Sequence, residues 1–113
     1  MSLELHVVAI KKAIRQLSEI EESVASEWAG LISPFLSNEK IGQTWRRLER
    51  DVGEALRTIQ CALRICETSN AERWMLKDFP RIAGLQRSFH VRMDRVDCLY
   101  DVLLKLVNDT GRE

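Results

Sequence analysis

At 113 residues, 45% hydrophobic and 6% aromatic, the chain holds enough apolar material for one modest core and has no length for a second domain. Its 17 basic and 17 acidic residues cancel, which excludes a long-range field for nucleic acid or for an anionic membrane. No apolar run approaches the roughly 18 residues needed to cross a bilayer, and Met1-Ser2-Leu3-Glu4 lacks the basic start and apolar stretch of a signal peptide, so a cytoplasmic protein is expected.

Along the chain, the apolar series Leu3, Val7, Ile10, Ile14, Leu17 steps by four and three, slips by one, and continues through Ile20, Val24, Trp28 and Leu31. That is one helical stripe, with Lys11, Lys12, Arg15, Glu19 and Glu22 on the solvated side. Ser33-Pro34 stops it, because proline has no amide to donate and disfavours helical geometry in the residue before it. Phe35 and Leu36 are expected to close one end of the core. A second stripe runs Ile41, Trp45, Leu48, Val52, Leu56, Ile59, Leu63 and Cys66, and the polar Glu67-Thr68-Ser69-Asn70 ends it. Ser69 and Glu72 have capping-box spacing, which predicts a short helical turn in the connector over 71–75. Asp78 is the expected N-cap of a third helix with Pro80 in its first turn, followed by Ile82, Leu85, Phe89, Met93, Val96, Leu99 or Tyr100, Leu103 and Leu106. Asn108 to Glu113 is polar and should fray. No segment alternates with period two. The expectation is therefore one all-α domain over 1–113, an elongated antiparallel three-helix bundle with helices about 3–32, 39–67 and 79–107.

The chemical inventory points away from catalysis. His6 and His90 lie in different helices without a partner three or four residues away that would complete a metal pair, and Glu19, Glu21 and Glu22 lack the Glu-x-x-His spacing of a di-metal bundle. No phosphate loop or nucleophile elbow occurs, so no cofactor is expected. Cys61, Cys66 and Cys98 form no Cys-x-x-Cys pair and read as small apolar packers in a reducing compartment. The best enzyme alternative places Arg87, His90 and Asp94 on one side of the third helix, three and four residues apart.

Two sets of residues are candidates for binding a protein partner. Arg46, Arg47 and Arg50 on the second helix and Arg87, Arg92 and Arg95 on the third could meet an acidic surface, or else pair with the interleaved Glu49, Asp51, Glu54, Asp94 and Asp97. Trp74, in the connector, is expected to be partly exposed, as a binding anchor or as a clamp on the bundle.

The order of features, a helix ending near Trp28, a second helix opened by Ile41 to Leu48, and a third carrying Gln86-Arg87-Ser88-Phe89 followed by Val96, resembles the N-terminal regulatory domain of syntaxin-6-like SNAREs. The resemblance covers about Leu5 to Val107. It implies a three-helix module in vesicle trafficking that binds SNAREs or tethering-complex subunits on the cytoplasmic face of endosomal or Golgi membranes, held there through a region C-terminal to this chain, with weak self-association as an option. A second likeness rests on Trp28-Ala29-Gly30, which is similar to the Trp-x-Gly signature of the WXG family of small helical secretion substrates, and implies dimers and export.

Overall fold

The computed structural model describes residues 3–111 and is all-helical, with three helices and no strand among those residues. Helix α1 covers residues 3–32. It is α-helical over Leu3–Ser23, opens into a single π turn at Val24–Trp28, where the Ala29 amide reaches back five residues to the Val24 carbonyl, and returns to α over Ala29–Ile32. A 3-10 turn at Ser33–Phe35 follows, with Pro34 inside it, and the Asn38 amide closes the corner on the Phe35 carbonyl at 2.9 Å.

Helix α2, Glu39–Thr68, starts where the extended Asn38 turns its side-chain oxygen onto the Ile41 amide at 3.3 Å. At this corner Gly42 is buried because a Cβ would sit 3.2 Å from the Leu36 carbonyl. Helix α2 ends at Ser69, which is extended.

Helix α3 covers residues 71–111 as Ala71–Arg73, a π turn at Trp74–Asp78, and Phe79–Gly111. It therefore begins eight residues before the expected boundary at 79. The cap is Asn70, whose side chain accepts the Arg73 amide at 2.9 Å, and neither Ser69 nor Asp78 caps it. Pro80 lies inside the helix, two residues after the end of the π turn. Its missing donor would have met the carbonyl of Leu76, a residue on the solvent side. Helix α3 also persists through Asn108 to Gly111, where fraying was expected; Arg112 and Glu113 lie outside the described residues.

Most buried hydrophobic positions follow a seven-residue repeat. In α1 they are Ile10, Leu17 and Val24; in α2 Ile41, Leu48, Ala55 and Ala62 alternate with Trp45, Val52, Ile59 and Cys66; in α3 they are Ile82, Phe89, Val96 and Leu103. Such a repeat keeps one seam facing its neighbour and winds helices into a left-handed supercoil. Full burial of each aliphatic side chain contributes about 1.5–3 kcal/mol. Helix α2 is the centre of the bundle, packing against α1 on one side and more extensively against α3 on the other. The molecule measures 61 × 20 × 17 Å.

The two π turns account for where the expected stripes go wrong. From Val24 the repeat points to Leu31, yet Leu31 is 62% exposed and Ile32 is buried. Read back from Ile82 it points to Met75, yet Met75 is 74% exposed and Trp74 is buried. Each π turn inserts one residue and moves the buried position by one.

Candidate functional site

The expected surface arginines separate into three places. Arg46 is exposed beside the Gly42 corner. Arg47, Arg50, Arg92 and Arg95 converge on one cleft between α2 and α3, together with Asp51 and Glu54. There Arg92 Nη1 binds Glu54 Oε2 and lies 3.7 Å from Asp51 Oδ1, while Arg95 Nη1 approaches the same Asp51 oxygen at 3.5 Å. Asp51 is buried, so its charge is held by these two guanidiniums in a medium where a charge pair is stronger than in water. This cluster clips α3 onto α2 and is the ion-pair alternative realised for Arg92 and Arg95. Arg87 lies apart, on the α1–α3 side.

Trp74 is not partly exposed but buried, because the π turn rotates it inward. Its ring packs 5.4 Å from the His6 imidazole and 5.8 Å from Phe79, and His6 stands edge-on to Phe79 at 5.6 Å. The clamp reading of Trp74 is the one the geometry carries. Asp78, in the same π turn, is buried, with Arg73 Nε 3.8 Å from Oδ2 and Arg81 Nη1 3.9 Å from Oδ1, and Oδ1 accepts no hydrogen bond.

Between α1 and α3, which touch less closely than either touches α2, runs a groove. Ile10, Ile59 and Phe89 form its floor, and Ala9, Ala13 and Ala83 keep its walls low. Its rim carries Lys12, Gln16, Gln86, Arg87 and His90, and no carboxylate lines it among the described residues. At one end lies His6, 8% exposed, whose Nε2 has no hydrogen-bond partner. Sequence reasoning missed His6 and the alanines because it followed Leu3 and Val7. The line His6, Ile10, Ala13, Leu17, Ile20, Val24 keeps a four-three spacing without the slip.

The enzyme alternative fares differently residue by residue. Arg87 and His90 share this groove, but Asp94 does not line it, and all three side chains are exposed. The His90 ring stands 5.5 Å from that of Phe89.

At the opposite end of the bundle, Trp28 packs on Tyr100 with ring centroids 4.5 Å apart. Together with Phe35, Trp45 and Leu103 they line an apolar cavity of about 200 Å³. The Trp28-Ala29-Gly30 triplet lies within α1 here, and the break between α1 and α2 comes later, over residues 33–38.

The cysteines divide. Cys66 is buried, but Cys61 and Cys98 are exposed and do not pack as expected, because they fall outside the seven-residue repeat. Burial pushes the Cys66 thiol up from its ordinary value, and the nearby charges of Asp78 and Glu67 add to this. Among the described residues, no group of three or more His, Cys, Asp or Glu side chains could hold a metal ion, and no helix is long and apolar enough to cross a membrane. Compared with known protein families, with curated proteins and with solved structures, the chain matches none.

Proposed function

We propose that the chain is a non-catalytic protein-interaction module, an elongated bundle whose sequence neighbours run antiparallel. The ring contacts support that course: His6 meets Trp74 near the start of α3, Trp28 meets Tyr100 near its end, and Arg92 of α3 meets Glu54 midway along α2. The observation that carries the interaction reading is the α1–α3 groove. An apolar floor with a polar rim, running along two helices, suits a partner's side chains better than a small reactant, and the polar groups in it do not form a connected acid-base pair.

Within that class, the leading reading is a syntaxin-type regulatory domain that binds tethering factors or SNARE segments at endosomal or Golgi membranes. It rests on the feature order set out from the sequence. Affinity purification from the native cells, with the chain as bait and mass spectrometry as readout, tests it. Recovery of SNAREs or tethering-complex subunits is the expected result. Recovery of secretion-machine components instead would favour the WXG-like alternative, and capture of no protein at all would overturn the interaction reading.

A further inference from the structure

The geometry points to an acidic amphipathic helix of a partner protein as the occupant of the α1–α3 groove, an inference that rests on the interaction reading above. Two observations carry it. First, the charge is one-sided. The chain as a whole is balanced at 17 against 17, yet among the described residues the groove rim holds the charged Lys12 and Arg87 and no carboxylate; neither Glu4 nor Asp94 lines it. Such a rim selects acidic partners and rejects basic ones.

Second, the shape fits a helix. Ala9 and Ala13 are one turn apart on α1 and Ala83 faces the same groove from α3, so a helical backbone can approach closely over Ile10, Ile59 and Phe89. From Leu5 to Gln16 the groove runs along about three turns, ~17 Å, which matches the apolar stripe of a short amphipathic helix.

A displayed library of about 18-residue helical peptides tests this on the full chain. Every member carries the same Leu/Ala stripe, and the flanking positions vary among Glu, Gln and Lys. Enrichment of Glu at the flanks is expected. The enriched peptides, measured by fluorescence anisotropy, should bind about tenfold more weakly to the Lys12→Glu/Arg87→Glu chain, the equivalent of ~1.4 kcal/mol. Ala9→Trp, at an exposed position on the groove wall, should abolish binding while circular dichroism reports an unchanged fold. No enrichment, enrichment of Lys, or binding indifferent to Ala9→Trp would overturn the assignment. A chain that sediments as a dimer and is dissociated by Ala9→Trp would overturn it too, giving the groove to a second copy. If native partners are captured equally by the wild-type and Ala9→Trp chains, the interaction reading stands and only this groove assignment fails.

Discussion

Phe89 and Cys66 occupy equivalent places in the seven-residue repeat but test different physics. Phe89 lies in the floor of the groove and in the core at once, so Phe89→Ala removes a ring that α1 and α2 both pack around. A loss of about 3–5 kcal/mol is expected in urea unfolding, a large part of the stability of so small a domain. Cys66 has a thiol held neutral by burial and by the charges of Asp78 and Glu67. Because the folded state resists losing this proton while the unfolded state does not, folding stability is unaffected at low pH. It falls as pH rises through the unfolded thiol value of about 8.5 and continues to fall until the folded value is reached. Comparing urea midpoints of wild type and Cys66→Ala from pH 7 to pH 10 isolates the effect: the wild type should lose stability more steeply. In the native protein a thiol-alkylating reagent should modify Cys61 and Cys98 quickly and Cys66 only on unfolding. Rapid modification of all three would contradict the buried placement.

At the scale of elements, the π turns make a prediction that ordinary helix logic would reverse. Deleting one residue from a helix rotates everything beyond it by about 100° and exposes the following core positions. Deleting Ser26 should be tolerated, because its removal converts Val24–Trp28 to regular α-helix and leaves Ile32 seven residues after Val24, still on the buried seam. Deleting Gln16, in the regular part of α1, should cost several kcal/mol by turning Leu17 and Val24 off that seam. Thermal melts of the two deletions distinguish these outcomes, and equal damage from both would show that the π turn is not a one-residue insertion in a heptad. This also marks the limit of what the sequence discloses. The presence and type of all three helices are legible because large apolar residues recur at helical spacing, and the Pro34 corner and the start of α2 at 39 follow from local chemistry. The buried seam itself is less so. Ala55 and Ala62 carry it in α2, where Leu56 and Leu63 on its flank draw attention by size, and in α1 it passes through His6 and Ala13. Nor can spacing choose Ile32 over Leu31, or Trp74 over Met75, since both residues of each pair are apolar and only the inserted residue decides.

The groove is a property of the whole molecule, which is why no stretch of sequence announces it. It exists because α2 is the common partner of α1 and α3, while those two approach less closely and share ring contacts towards their ends, His6 with Trp74 and Phe79 at one end and Trp28 with Tyr100 at the other. The same asymmetry sets an order of stability. Helix α3 shares the longer contact with α2 and is clipped to it by Arg92 and Arg95 on Asp51 and Glu54, whereas α1 shares the shorter contact with α2. Helices with fewer buried contacts open sub-globally at lower free energy than the fold as a whole. Native-state hydrogen exchange should therefore find the amides around Leu17 less protected than those around Val52 and Val96, which exchange only on global unfolding. An occupant of the groove touches α1 and α3 together and binds only the closed bundle, so a saturating helical peptide should raise protection in α1 selectively, by an amount set by its concentration over its Kd. Uniform protection across all three helices in the free protein would mean that α1 is as firmly held as α3, and that the spacing between them reflects a rigid bundle with no low-energy opening.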